Sequence, residues 1–468
     1  MTTVDVPIFK YRPDLSTPVD AAHLNGWGAA IKANADAAEA GAVAAGAATD
    51  TVMAAKVADV ASLTRGALSA TYAQPAGGTV VVWGDSFTAF TDGVAGTATY
   101  RNCAGYWTWA DVLTQHRLDL VFNAGIPGQG SADILARWAT DVAAYSPSWV
   151  VINAGNNDLT DTTRVWTTTR DNVVTMINLV HGIGARAVVL NIPPRNGMPA
   201  FALGERAKFN KWLRDYSTSA RGVHMVDTYG PMLDPAADGV LASLTNDGAH
   251  PNNVAAGRLG RAVASVINTL VPPRDICEHS ISDPLLLSTN PYLTGTSGTA
   301  GAGVTGSVAT GWTVKAATGS VTATTSKVAR TDGKPGYWQQ ITNSTAGTAI
   351  TLVQENASAN VAWTPGVTQV YAICEFETDA DFALTNSSGR FDLTIDSYST
   401  TYSGQGSMSD FRWVPPSAWA AEARIPSGVL RTPVFTIPAA ANLKILAQVV
   451  LYGTGTFRVG RIALHKVA

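Results

Sequence analysis

Charge is scarce in this chain: Asp, Glu, Lys and Arg make up 14% of its 468 residues, and the formal net charge is −3. A nucleic-acid binder needs a concentrated basic face to neutralise phosphates, so this composition argues against that class. Cysteine is nearly absent, and the three present, Cys103, Cys277 and Cys374, are odd in number and far apart. They match neither a disulfide framework nor a zinc-ligand set and read as free, buried thiols. No apolar run approaches the length that crosses a bilayer, which argues against membrane insertion. The opening residues MTTVDVPIFKYRPD lack a basic region followed by an apolar one. A soluble protein that does not use the ordinary signal route is expected; if it works outside a cell, something else carries it there.

The length exceeds what a single core sustains, and composition divides the chain into three segments. Residues 1–72 hold an Ala-rich stretch in which Leu24, Trp27, Ile31 and Ala38, then Met53, Val57 and Val60, recur at helical spacing. This narrow apolar stripe suits a short oligomeric coiled coil, and equally a helix lying on its own chain or a flexible linker.

Residues 73–273 alternate short β-branched runs with helix-like stretches. The strand candidates are TVVVWGDS, LDLVFNAG, SWVVINAGNND, ARAVVLNIPP and VHMVDTYG, and helices are expected near 105–116, 131–144, 164–181, 203–218 and 253–270. Apolar runs of this length, closed by Gly, Pro or Asn, suit strands buried on both faces of a parallel sheet. The expected fold is α/β, a flavodoxin-like three-layer α/β/α sandwich with its ligand site beyond the carboxyl ends of the strands. After Pro272 and Pro273 the composition shifts to Thr, Gly, Ser and Val with period-two alternation, as in Leu443, Ile445, Ala447, Val449 and Leu451. Residues 290–468 are therefore expected to form a separate antiparallel β-sandwich of jelly-roll type.

Chemistry gathers at the strand ends. Ser86 follows the first strand in VVVWGDSFT, where a nucleophile is exposed at the sheet edge. It lacks the flanking glycines of a GxSxG elbow. The second strand ends in FNAGIPGQG, whose glycines let a backbone N–H approach a ligand oxygen, and the third in NAGNNDL, where Asn157 offers a side-chain amide. After the fifth strand, TNDGAHPNN places Asp247 three residues before His250, a spacing that lets the carboxylate reach Nδ1 and aim Nε2 at a nucleophile. An Asp–His pair can also serve a metal, but no further His or Cys cluster supports one, so neither metal nor cofactor is expected. Each loop alone reads as ordinary turn chemistry. Their shared position, at the ends of predicted parallel strands, is what singles them out.

GDSF, NAGIPG, GNND and DGAHPN, taken together, resemble the sequence blocks of the SGNH hydrolases, also called the GDSL esterase family, over residues 78–270. The resemblance implies that Ser86 is the nucleophile, His250 the general base and Asp247 its orienting partner. It also implies an oxyanion hole built from the backbone N–H groups of Ser86 and Gly128 and the side-chain amide of Asn157. Phe87 stands where many members have Leu. The aromatic stretch TAFTDGVAGTATYRNCAGYWTW is expected to wall the cleft.

DLSTPVDAAHLNGWGAAI and LTRGALSATYAQP resemble attachment segments of bacteriophage tail fibres. NPYLTGTSGTAGAGVTGSVATGW resembles the start of carbohydrate-binding-like sandwiches on phage-borne esterases of this family. The implied protein is a virion tail esterase, a homo-oligomer with a trimer favoured, meeting other tail proteins at one end and an acetylated bacterial surface glycan at the other. Trp312, Trp338, Trp363, Trp413 and Trp419 are candidates to stack on sugars, although an indole more often fills a sandwich core. Two alternatives stay open: a receptor-binding tail protein that uses the fold as a scaffold, and an esterase for lipid or short acyl substrates.

Overall fold

The computed structural model describes residues 78–95, 98–219, 222–317, 319–357, 363–384, 391–398, 404–412, 424–439 and 444–467. The expected N-terminal helical segment, 1–72, and Trp413 and Trp419 lie outside the described residues.

The first strand, β1 (Thr79–Gly84), is buried almost throughout and leads into a one-turn helix, α1 (Ser86–Ala89). A hairpin follows, β2 (Asp92–Ala95) and β3 (Ala98–Asn102), then α2 (Tyr106–Leu113) and β4 (Asp119–Gly125). The helix expected over 131–144 is broken into α3 (Ser131–Ala136), α4 (Trp138–Asp141) and a 3₁₀ turn, Ala143–Tyr145. The break falls at Arg137, whose guanidinium turns back to the carbonyls of Gly84 and Ala124 and the side chain of Gln129. Next come β5 (Trp149–Asn153), α5 (Trp166–Gly182), β6 (Arg186–Leu190), α6 (Ala200–Ser219) and β7 (Val223–Val226). A small hairpin, β8 (Leu233–Asp234) and β9 (Gly239–Val240), precedes α7 (Asn253–Leu270), which Asn252 caps by accepting from the N–H groups of Val254 and Ala255.

β4-β1-β5-β6-β7 form one sheet whose neighbouring strands all pair in parallel, the expected doubly wound order. Apolar cores cover both faces: Val80 and Val82 face α2 and α7, while Val81 and Trp83 face the side that holds Val173, Ile177 and Phe209. Because β4 and β5 flank β1, the sheet reverses its winding at β1, where a crevice opens beyond the strand ends.

The remainder is β-structure: β10 (Ser297–Ala300), β11 (Val304–Gly306), β12 (Val308–Ala316), β13 (Ala323–Ala329), β14 (Tyr337–Asn343), β15 (Ile350–Ala357), β16 (Gln369–Thr378) and β17 (Ala383–Leu384). After these come β18 (Phe391–Tyr398), β19 (Gly404–Arg412), β20 (Ser427–Arg431), β21 (Phe435–Thr436), β22 (Lys444–Leu451) and β23 (Gly453–Lys466). They form two eight-stranded sheets, one running β10-β12-β15-β22-β18-β19-β3-β2 and the other built on β11-β13-β14-β23-β16-β20. Leu393, Ile445 and Val449 of the first sheet and Phe376, Phe457 and Leu464 of the second pack in one cluster, with alternate residues buried as the sequence pattern predicts. The pairing is not purely antiparallel: β10 with β12, β11 with β13 and β3 with β19 run in parallel.

Of the aromatic stretch after Ser86, Phe90 stands against the His250 imidazole, while most of the rest packs elsewhere. Its central part supplies β2 and β3 to the edge of a C-terminal sheet, and Tyr106, Trp107 and Trp109 of α2 are fully buried. Large indole and phenol rings offer more apolar area to a core than to a solvated rim, so packing claims them. The α/β part and the strand-rich part thereby share a sheet and an apolar cluster, and residues 75–468 form one compact unit. Asp119 of β4 fixes the junction by pairing with Arg274, at 2.7 Å, and with Arg431 of β20.

Candidate active site

Ser86 starts α1 because Asp85 caps it: the Asp85 carboxylate accepts the Phe87 N–H at 3.0 Å, ending the strand in a sharp turn. The Ser86 N–H lies in the first turn, where a helix offers no internal acceptor. Ser86 Oγ lies 3.0 Å from His250 Nε2, and His250 Nδ1 lies 2.6 Å from Asp247 Oδ2. The second Asp247 oxygen accepts the N–H groups of Ala249 at 2.9 Å and His250 at 2.8 Å, so carboxylate and imidazole are locked in one turn. Partial burial opposes ionisation of Asp247, but the bonds from the His250 ring and these two N–H groups outweigh it and hold the carboxyl below its ordinary range. An ionised Asp247 in this place keeps the proton on Nδ1 and leaves Nε2 free to accept from Ser86. Phe87 and Phe90 stand against the imidazole at ring-centroid distances of 5.8 and 5.2 Å.

The loops after β4 and β5 meet beside Ser86. Gly128 is exposed with φ +81°, and a side chain there meets no neighbour, so its backbone conformation rather than space demands glycine. Asn157 donates its amide to the carbonyl of Gln129 at 3.0 Å, tying the two loops together. An amide nitrogen carries two hydrogens, so this bond orients Asn157 and leaves the second N–H for a ligand oxygen. The five residues singled out from the sequence thus occupy one edge of the sheet, at the ends of β1, β4 and β5 and on the turn before α7.

Several residues that hold this arrangement were not singled out. Asp85 is fully buried, and besides capping α1 it accepts from Asn156 at 2.8 Å and Asn153 at 3.2 Å. Burial pushes its carboxyl up to about 7, against the pull of the Phe87 and Asn156 hydrogen bonds. Asp158 accepts the N–H and hydroxyl of Ser131 at 2.8 and 2.6 Å, pinning the start of α3 under the Gly128 loop. Asp85 and Asp158 stand inside the GDS and GNND motifs, the one signal that could have found them.

The space next to Ser86 is narrow, about 20 Å³, and is bordered by Phe87, Leu159, Ile192, Met198, Arg195 and Arg206. No cluster of His, Cys, Asp and Glu suited to a metal occurs among the described residues.

A parallel α/β sheet that presents a Ser–His–Asp relay and two loops of donors at its carboxyl edge is the framework of a serine-dependent hydrolase. Residues 82–256 match the model of the GDSL-like lipase/acylhydrolase family. No curated protein matches the chain. Among solved structures, a GDSL-like lipase from Bacteroides thetaiotaomicron is 24% identical, covering 44% of this chain and 93% of that one with a TM-score of 0.32. A member of the lipolytic G-D-S-L family from Veillonella parvula is 18% identical over 41% of this chain and 99% of that one, TM-score 0.34. A variant of an acetyl-xylooligosaccharide esterase from Geobacillus is 21% identical over 42% and 97%, TM-score 0.33.

Proposed function

We propose that the protein is a serine esterase that removes O-acetyl groups from a bacterial surface polysaccharide. Ser86 Oγ, deprotonated by His250, attacks the ester carbonyl, and the N–H groups of Ser86 and Gly128 and the Asn157 amide hold the oxyanion. Collapse expels the sugar hydroxyl, protonated by His250, and leaves an acetyl-serine that water, activated by the same imidazole, hydrolyses. The unbroken hydrogen-bonded line from Asp247 through His250 to Ser86 is the observation that carries the reading. The acetyl preference is supported by the narrow, open space beside the nucleophile, where Phe87, Leu159 and Ile192 stand close around the serine.

The setting is a phage tail, with the virion delivering the enzyme to the host surface. Supporting this are the tail-fibre-like segments of the first 72 residues, which are assigned to attachment and to a homo-oligomer, a trimer, alongside other tail proteins. The C-terminal β-structure is read as a jelly-roll that contacts glycan. Its Trp312 is buried, Trp338 is nearly so and Trp363 packs on the core, so sugar contact falls to other residues. The test is release of acetate from acetylated host polysaccharide by the parent protein and by Ser86→Ala. Release by the parent alone supports the proposal; cleavage of a small chromogenic acetate with the polysaccharide untouched removes the glycan substrate and leaves the esterase.

A further inference from the structure

The loop after β6 and the helix α6 that follows it bring two cations to the border of the catalytic space. Arg195 is half-buried beside it, and Arg206 of α6 is 2% exposed, its Nη1 donating to the Pro193 carbonyl at 3.0 Å. Nη2 of Arg206 has no hydrogen-bond partner, and the guanidinium lies over the Tyr229 ring at 5.6 Å. Among the described residues no carboxylate forms an ion pair with either arginine, and none borders the space beside Ser86. Asp238, whose charge reaches Arg206, is itself engaged by the Tyr229 hydroxyl.

Two like charges placed together with no carboxylate in direct contact are costly unless something else brings more compensating charge. The chain as a whole is acidic, so a positive wall at this place is a local feature and not a consequence of composition. Arg195 is also held firmly: Asn196 donates its N–H to the carbonyl of Gly248, in the turn that carries Asp247 and His250, at 2.8 Å, and its side-chain oxygen accepts from Val240 at 2.8 Å. Arg206 borders a second cleft of about 200 Å³, where Lys211 and Arg214 continue the basic lining and Asp238 is the one acid. Lys211 is answered by Asp215, whereas Arg214 has no carboxylate partner among the described residues.

We infer that the sugar bearing the ester is acidic: a carboxylate on the residue that carries the acetyl group, or on its neighbour, docks at Arg195 against the charge of Arg206, and the polymer continues along the second cleft. A planar guanidinium matches a carboxylate with two parallel hydrogen bonds, and such charge-assisted bonds are the stronger kind. This deepens the esterase proposal and rests on it.

The test compares three substrates: 4-nitrophenyl acetate, an O-acetylated methyl glucuronoside, and the same sugar with its carboxylate blocked as the methyl ester. The expected result is a kcat/KM for the free acid about ten- to a hundredfold above that for its methyl ester. This ratio is expected to shrink as salt is raised, to fall toward one in Arg195→Gln, and to recover in part in Arg195→Lys. Equal rates on the two sugars, or a preference that survives Arg195→Gln, overturn the anion site and leave the esterase standing. Hydrolysis of the nitrophenyl ester alone overturns the glycan substrate and this inference with it, and hydrolysis of none of the three overturns the esterase itself.

Discussion

Asn157 and Asp247 bear most directly on turnover. Replacing Asn157 by Ala removes one oxyanion donor and the bond to the Gln129 carbonyl. Steady-state kinetics on a short acetate are expected to show kcat lowered by about 10²- to 10³-fold with KM little changed, because the donor acts on charge that appears only in the transition state. Asp247→Asn keeps the shape of the turn but offers the imidazole the wrong partner, and kcat is expected to fall on the order of 10⁴-fold. Ser86, Asp247 and His250 were legible because nucleophile, base and acid must be those residue types at strand ends. Asp85 was not, since a carboxylate in a turn reads as a turn former. Only the fold shows that it collects Phe87, Asn153 and Asn156 at once. The Gln129 carbonyl that aims Asn157 is backbone, and no side-chain pattern announces it.

Among the elements, the contact between β4 and α1 is the tightest near the site. A Cβ on Gly125 falls 2.1 Å from the backbone nitrogen of Ala89, so Gly125→Ala must displace the helix that begins with Ser86. A loss of about 1–3 kcal/mol of stability is expected in chemical denaturation, together with a drop in kcat. The five strands of the parallel sheet and the helices α2, α5, α6 and α7 were legible from their apolar runs, whereas the break at Arg137 and the strands β2, β3, β8 and β9 were not. β2 and β3 are short, and β3 pairs with residues some three hundred positions away, Ala98 with Ser407.

The segment that follows α7 is held to β23 by a pair of histidines, His465 Nε2 lying 3.0 Å from His279 Nδ1, with Tyr371 stacked on His465. One ring must donate and the other accept, so both cannot be charged. Burial, then the neighbouring His279, pushes His465 down to about 4 from 6.5, and the folded state therefore binds fewer protons than the unfolded one between those values. This contribution to stability is complete above about 6.5 and is lost as pH falls toward 4. Asp85, raised to about 7, acts with the opposite sign, so the comparison is between proteins at each pH. The Tm of the parent is expected to fall relative to that of His465→Asn across the interval from pH 6.5 to 4, and parallel curves would contradict it.

Residues 75–468 form one compact unit in which two sheets of the strand-rich part pack against each other and one of them borrows its edge from the loop after Ser86. A shift to Thr, Ser and Gly with period two marks sheet structure, and the strands β10 to β23 follow that shift in composition. It did not reveal that Val112 of α2 abuts Gly428 of β20, since such contacts join distant stretches of chain without local pattern. Calorimetry of the unit is expected to give one cooperative transition, and two well-separated transitions would show that the shared sheet edge and the Asp119 ion pairs do not couple the parts.

The most direct measurement is to trap the covalent intermediate. The protein is mixed with a short-chain acetate, quenched in acid, and mapped by peptide mass spectrometry. The expected result is a single acetyl group on the peptide containing Ser86, absent from Ser86→Ala, whose turnover falls on the order of 10⁶-fold. Turnover by Ser86→Ala at the parent's rate, or an acetyl group carried through turnover by a different residue, would contradict Ser86 as the nucleophile.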